Sequence, residues 1–353
     1  MLEISTMQIK KDLKRIERNP YDETGNQHAG VLRGGNRIGW IDCARGIAML
    51  FVVLGHCYMG LEDPVNRFIL SFHMPVFFFL SGICAKASNG TFSVWAAKKA
   101  RGLLIPQLTL AAIVYIYAAV SYGASARTLI DSLLVWFLPT LYVCLLLFYW
   151  LARFAGGSLK AWALVLCTVA VAAPIVDLLG IDVCPIRPET VLAGLFFFCL
   201  GHVWRLADPK GSAFGKLGMW AVAVLLVPVL FVLSQLNAPI AMYEGSYGFW
   251  PLFYLTAAVG TAWVCLLGRL LEGVSFLAWF GQVSIIVFVL HFRLIPLLRA
   301  IVVRVLSVAG LSLGANEMAV LLFVLAMAIL VPLVGFCDKH LGFLFGKDKA
   351  KKA

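Results

Sequence analysis

Long apolar stretches separated by short polar ones make up most of the chain from residue 38 onward. Each stretch is about 18 to 22 residues long, the length that an α-helix needs to cross about 30 Å of hydrocarbon. The apolar positions do not alternate with period two, as they would in the strands of a membrane barrel. The pattern therefore predicts an all-α polytopic integral membrane protein of about ten transmembrane helices in one bundle. The predicted spans are residues 40–60, 68–86, 102–121, 132–151, 160–179, 189–206, 217–236, 249–268, 275–297 and 317–336.

The ends of the membrane region are marked by changes in polarity. Residues 1–37 are polar and lack the apolar core and cleavage site of a secretory signal, so they are expected to form a cytosolic tail. Residues 38–337 form the predicted transmembrane domain, and residues 338–353 a basic cytosolic tail. Within this domain the segment 297–313 is interrupted by Arg299 and Arg304, so it is either an interfacial helix or an additional span.

Composition and charge agree with a membrane location. The chain is 61% hydrophobic and only 13% charged, so lipid is the expected solvent. With a cytosolic N-terminus, 22 of the 29 basic residues fall on the cytosolic side, which supports two cytosolic termini by the positive-inside rule. Topology and anionic lipid thus account for the net charge of +11, and no nucleic-acid partner is predicted.

Sequence motifs for metal or nucleotide chemistry are missing. The nine cysteines contain no CxxC pair, and most fall in or beside apolar spans, where cysteine packs as a small hydrophobe. The chain has no GxGxxG, Walker A or HExxH motif. We therefore expect no metal site and no bound cofactor.

Three polar residues lie in the first predicted span. Arg45 and His56 are eleven residues apart, which places them about 20° apart around a helix and about 16 Å apart along it. Asp42 precedes Arg45 by one turn and can pair with it. An arginine near a helix centre costs about 2.5 to 3.5 kcal/mol on insertion scales, so this face is expected to line a cavity or the bundle interior. Alternatively, Asp42 and Arg45 pair structurally near the cytosolic end, and His56 bonds a neighbouring helix.

The same residues begin a series of short motifs that resemble a known family. The first motif consists of Asp42 and of Arg45, which is followed by ten residues and then His56. The others are Ser71-Phe-His73-Met-Pro75-Val-Phe-Phe-Phe-Leu-Ser81-Gly82, Lys98-Lys-Ala-Arg101-Gly-Leu-Leu-Ile-Pro106, Trp136-Phe-Leu-Pro-Thr-Leu-Tyr142, and Phe280-Gly-Gln-Val-Ser284 leading to His291. In this order they resemble acyltransferase family 3, membrane O-acyltransferases of bacterial surface glycans, and especially its fucose 4-O-acetylase-like branch. The resemblance implies an inner-membrane protein that uses acetyl-CoA or another acyl-CoA as co-substrate and a glycan or lipid-linked saccharide as acceptor.

The resemblance also implies that His56 is the catalytic residue and that Arg45, with Asp42 beside it, helps to bind the acyl donor. A neutral imidazole suits the proton transfer that a sugar hydroxyl needs in order to attack a thioester. A covalent acyl-histidine step is also open. Asp42 lies about 21 Å from His56 along the helix, so any acid that orients the imidazole comes from elsewhere. The acids near the outer face are Glu62, Asp63, Glu189 and Glu244, of which Glu189 is preferred because it begins the sixth span.

Further candidates surround these two groups. Lys98, Lys99 and Arg101 precede the third span and either contact the phosphates of CoA or supply ordinary positive-inside charge. His73, Ser81 and His291 either line the acceptor cavity or hydrogen-bond within the bundle. The outer-loop aromatic residues could stack on a sugar or form an interfacial belt; they are Tyr243, Tyr247, Phe249 and Trp250.

A polytopic transporter is the alternative function, because transporters also bury charged residues beside a cavity. Transporters commonly contain corresponding halves with helices broken near the midplane. No such internal symmetry is detectable in this sequence, so an acyltransferase is the preferred prediction. A homo-oligomer is compatible with the sequence.

Overall fold

The computed structural model describes residues 38–86, 91–123, 125–133, 135–181, 187–207 and 215–347. These residues form thirteen α-helices and one short 3-10 helix, Gly342–Phe345, without a β-strand. In chain order the α-helices are α1 Gly39–His56, α2 Pro64–Leu70, α3 His73–Cys84, α4 Phe92–Tyr122, α5 Ala126–Leu133, α6 Phe137–Ala155, α7 Leu159–Leu178, α8 Pro188–Ala207, α9 Lys216–Leu236, α10 Trp250–Leu270, α11 Ser275–Gln282, α12 Ser284–Ala309 and α13 Ala315–His340.

Ten segments of the described chain are long and apolar enough to cross a membrane. They are α1, the α2–α3 pair, α4, α6, α7, α8, α9, α10, α12 and α13. Two further helices, α5 and α11, are only eight residues long. The prediction of an all-α polytopic membrane protein with about ten spans is confirmed.

The predicted ninth span is displaced along the chain. Residues 275–297 were expected to form one helix, but α11 ends at Gln282 and a new helix, α12, runs from Ser284 to Ala309. The segment 297–313 is therefore neither a separate interfacial helix nor an additional span, because most of it is the second half of α12. An apolar run shows no sign of this break, since hydropathy is similar on both sides of Val283.

The third span begins about ten residues earlier than the predicted 102–121. Helix α4 begins at Phe92 and continues through Pro106 to Tyr122. The three basic residues therefore lie within the helix and do not precede it; they are Lys98, Lys99 and Arg101.

The second span is broken in its first half. Helix α2 ends at Leu70 and α3 begins at His73. Pro75 has no N–H to donate to the carbonyl four residues back, so an uninterrupted helix would lose a hydrogen bond at this point. At the break, the Ser71 hydroxyl donates to the Phe68 carbonyl, at 2.8 Å. As a result His73 stands at the beginning of a helix.

Direct backbone contact fixes α11 against α1. A Cβ atom on Gly281 would lie 1.9 Å from the carbonyl oxygen of Asp42, and one on Gly46 would lie 2.2 Å from that of Leu277. Both distances are far inside van der Waals contact, so only glycine allows the two helices to approach this closely. The contact places Gln282 beside Asp42.

Candidate active site

Helix α1 carries polar side chains at two levels, here called the Arg45 end and the His56 end. At the Arg45 end, Nη1 of Arg45 lies 3.6 Å from Oδ1 of Asp42, and Nη2 donates to Sγ of Cys84 at 3.2 Å. Nε2 of Gln282 donates to the other oxygen of Asp42 at 3.1 Å. The Arg45 side chain remains 27% exposed, so a ligand can reach it although it is paired.

The basic residues of α4 lie at the same end. Lys99 is close enough to Cys84 to interact with it electrostatically, and Cys84 also receives the hydrogen bond from Arg45. Lys98 and Arg101 are exposed on the first turns of the same helix. The structure therefore brings Lys99 beside the Arg45 end, and Lys98 and Arg101 lie within two residues of Lys99 on the same helix. Several cations close together are a favourable place for an anion with several phosphates.

At the His56 end, three of the six histidines of the chain converge. The rings of His56 and His291 meet edge to face, with centroids 4.7 Å apart and planes at 89°. His73 lies near both of them. These residues come from α1, α3 and α12, which are far apart in sequence.

Each of the three rings is held by its own helix. Nδ1 faces the carbonyl oxygen four residues back, at 2.9 Å for His56 and 3.0 Å for both His73 and His291. A carbonyl oxygen only accepts, so Nδ1 carries the proton in the neutral ring and Nε2 presents a lone pair; this tautomer is assigned from the hydrogen bonds. The hydrogen bond to the previous turn therefore orients His56 as a proton acceptor.

Exposure separates the three histidines. His73 is 6% exposed and His291 is fully buried, whereas His56 is exposed. Nε2 of His291 is buried without a hydrogen-bond partner among the described residues. His56 is thus the member of the group that a substrate can touch.

The face of α1 between the two ends is closed. Met49 and Val52 lie on the same side of the helix as Arg45 and His56, and they are only 2% and 1% exposed. Met49 is unbranched and adapts its shape easily. A ligand that connects the two ends would have to displace this side chain.

Several predicted residues lie elsewhere. Glu189 is buried, contacts Arg187 at 3.5 Å, and packs beneath Gly245 of the loop before α10. Ser81 lies one turn before Cys84, about 12 Å along α3 from His73, and therefore belongs to the Arg45 end.

Two other acids that were predicted near the outer face also have their own local partners. Glu62 pairs with Arg67, and Asp63 caps α2. The group that orients His56 is the carbonyl of Val52, and the structure shows no acid in this role among the described residues.

The aromatic residues before and at the start of α10 divide into two pairs. Tyr247 is 1% exposed, stacks on Trp250 with centroids 4.1 Å apart, and donates to the hydroxyl of Thr190. Neither member of this pair can stack on a sugar as the structure stands. Tyr243 and Phe249 are exposed. Burial, followed by the nearby Glu244 carboxylate, raises the pKa of Tyr243 to about 12, so its hydroxyl stays a hydrogen-bond donor in neutral solution.

Two members of the Arg45 end were not predicted as site residues. Gln282 lies within the short motif Phe280-Gly-Gln-Val-Ser284, which could have pointed to it. Cys84 is one of the cysteines in or beside the apolar spans, most of which were expected to pack as small hydrophobes. It is exposed and accepts a hydrogen bond from Arg45.

Together, the fold and the site define a polytopic helical membrane protein with a cationic cluster at one end of a helix and an oriented histidine at the other. Residues 38–337 match the model of the family described as "Acyltransferase domain". The chain therefore belongs to acyltransferase family 3 and is an acyltransferase of the membrane. No curated protein and no solved structure matches the chain.

Proposed function

We propose that the protein is an O-acetyltransferase of the bacterial inner membrane, with both termini in the cytosol. In this proposal acetyl-CoA binds at the Arg45 end from the cytosol, and the acceptor is a hydroxyl of an extracytoplasmic glycan or lipid-linked saccharide. The observation that carries the proposal is the orientation of His56: it is exposed, its Nδ1 is bound to the Val52 carbonyl, and its Nε2 is thereby left as a base.

The reaction would require a base that accepts the hydroxyl proton and an acid that protonates the CoA thiolate as it leaves. As the acceptor oxygen forms its bond to the thioester carbonyl carbon, Nε2 of His56 takes the hydroxyl proton. The tetrahedral intermediate then collapses, the carbon–sulfur bond breaks, and the imidazolium returns the proton to the CoA thiolate. Acetyl ester and CoA thiol are the products, and His56 is regenerated as the neutral base.

Negative charge on the carbonyl oxygen needs stabilisation during this step. The break in the second span places the N-terminus of α3, at His73, beside His56. The positive end of a helix dipole favours an anion at this position. We assign His73 and His291 to the walls of the acceptor cavity, where their rings limit the positions that His56 can adopt.

The donor would span the distance between the two ends. The separation of Arg45 and His56 along α1 is about 16 Å, roughly the reach of a pantetheine arm. The phosphates of CoA would remain with Arg45, Lys98, Lys99 and Arg101, and the arm would pass Met49 toward His56. The proposal therefore requires the Met49 side chain to move when the donor binds. Membership of an acyltransferase family favours this function over a transporter.

A sided assay tests the proposal. Purified protein is reconstituted in liposomes with labelled acetyl-CoA on one side and a panel of glycans on the other, and the orientation of the chain is determined by labelling cysteines introduced near Lys98 and Tyr243. We expect acetyl ester to form only when the donor is on the Lys98 side. His56→Ala should greatly reduce transfer, whereas His340→Ala, at an exposed histidine of α13, should not. Transport of a glycan without ester formation would overturn the proposal.

A further inference from the structure

A groove on the surface between α4 and α12 is not part of the site described above. Its lining is apolar except for one arginine: Ile113, Ile116, Tyr117, Leu290, Arg293, Leu294 and Leu297. Ile116 is 62% exposed and Leu297 is 47% exposed. Since both helices are membrane spans, the groove opens toward lipid.

Arg293 has aromatic neighbours and an unmatched polar atom. Its Cζ lies 5.1 Å from the ring centroids of both Tyr117 and Phe292, within range of cation–π attraction. Its Nε is buried without a hydrogen-bond partner in the described part of the chain. A guanidinium at membrane depth is costly and normally indicates a functional partner. The partner that this environment lacks is an anion.

The groove lies at nearly the same depth as His56. Tyr117 is five residues, or about 7 Å, from the end of α4 at Tyr122, which lies on the His56 side of the membrane. Arg293 follows His291 by two residues, so it lies about 200° around α12 and about 3 Å closer to the same surface. A phosphate at Arg293 would therefore be held one helix width from His56.

We propose that this groove binds the phosphate-bearing lipid carrier of the saccharide acceptor. Arg293 holds the phosphate, the chain of the lipid lies along the apolar lining, and the attached saccharide reaches around α12 toward His56. A groove between two helices accommodates a single chain, which favours a one-chain lipid phosphate over a two-chain phospholipid. The identity of the lipid as acceptor rests on the proposed function, whereas its binding does not.

Binding can be measured directly on the purified full-length chain by native mass spectrometry. The probe is a polyprenyl phosphate, and the comparison ligands are the uncharged polyprenol and phosphatidylglycerol. Charge-assisted hydrogen bonds are the strong ones, so Arg293→Gln should weaken binding of the polyprenyl phosphate by about tenfold or more. The matched control is Arg304→Gln, at an exposed arginine eleven residues further on and on the same side of α12, which should bind as wild type. Ile116→Trp, which fills the groove and keeps Arg293, should also reduce binding.

The outcomes separate this inference from the proposed function. Equal binding by wild type and both groove variants, or equal binding of polyprenol and polyprenyl phosphate, would overturn the phosphate site. Equal competition by phosphatidylglycerol would overturn its assignment to a carrier lipid. If binding depends on Arg293 but the wild-type protein transfers no acetyl group to any acceptor, the proposed function fails and the lipid site stands. His56→Ala is expected to bind the polyprenyl phosphate as wild type does.

Discussion

Both ends of α1 carry polar side chains within an apolar helix bundle, but these side chains are stabilised by different interactions. At the Arg45 end, the charge of Arg45 is balanced by Asp42 on the same helix and by two polar neighbours on other helices, Gln282 and Cys84. At the His56 end, Nδ1 of each histidine ring donates to the backbone carbonyl one turn back on its own helix, and the ring is neutral. The Arg45 end therefore keeps a permanent positive charge, whereas the His56 end keeps a free lone pair.

This difference suits two separate tasks. A permanent cation attracts an anionic ligand equally well before and during a reaction, so it contributes mainly to binding. A lone pair on an oriented imidazole matters chiefly when a proton moves, so it contributes mainly to the rate of the chemical step. Variants at the two ends should consequently change different kinetic constants, and each experiment below tests that separation.

The largest effect is expected at His56. Without the imidazole no group takes the acceptor proton, so His56→Ala should lower kcat by about 10² to 10⁴, the usual contribution of a positioned general base. Binding of acetyl-CoA, measured by calorimetry, should change little. The pH dependence of the rate tests the role of His56 as a base. Wild-type activity should fall with decreasing pH, because imidazolium forms and the lone pair is lost. Any residual activity of the variant should lack this dependence.

The control for this experiment is a histidine that shares the local geometry but not the exposure. His291→Ala opens a cavity in a fully buried position and should reduce thermal stability together with activity. A well-folded His56→Ala protein with near-normal transfer would remove His56 as the base. It would also contradict the assignment of donor binding to the Arg45 end and of the chemical step to the His56 end.

A smaller effect is expected at Arg45. Hydrogen bonds to charged groups contribute about 1.5 to 3 kcal/mol, so Arg45→Ala should raise the KM for acetyl-CoA by about 10- to 100-fold with a minor change in kcat. Arg45→Lys should recover only part of the loss because an ammonium lacks the planar fork of the guanidinium. Lys86→Ala, at an exposed cation of the same end, is the matched control. A fall in kcat alone would contradict a donor-binding role.

Sequence reasoning was most successful where partners share a helix. Spans follow from length and hydropathy, and the Asp42–Arg45 pair follows from a spacing of three residues, as the 3.6 Å contact shows. The histidine group could not be derived in the same way, because His56, His73 and His291 come together only through the packing of α1, α3 and α12. Hydropathy also failed to show the end of α11, where a glycine contact and not polarity determines the geometry.

The backbone contact between Gly281 of α11 and Asp42 of α1 can be tested by substitution. A methyl group on Gly281 would meet the backbone of Asp42, which cannot retreat without moving α1. Gly281→Ala should therefore destabilise the protein by about 1 to 3 kcal/mol, the usual cost of overpacking, and should displace Gln282 from Asp42. Thermal unfolding in detergent measures the first effect, and the KM for acetyl-CoA measures the second. Gly273→Ala is the control, since nothing lies within 4 Å of a Cβ there. Equal melting temperatures for the two variants would show that α11 moves freely against α1.

The smallest expected effect tests whether the Arg45 end acts as a unit. Gln282 contributes one hydrogen bond, from Nε2 to Asp42, and Asp42 in turn pairs with Arg45. A single hydrogen bond contributes about 0.5 to 1.5 kcal/mol, so Gln282→Ala should raise the KM for acetyl-CoA by about 2- to 10-fold and leave kcat near wild type. Gln235→Ala, which removes a hydrogen bond to the Pro64 carbonyl, should leave this KM unchanged. The double variant with Arg45→Ala is decisive: if Gln282 acts by positioning Arg45, its substitution should have no further effect once Arg45 is gone, whereas independent roles would give additive losses.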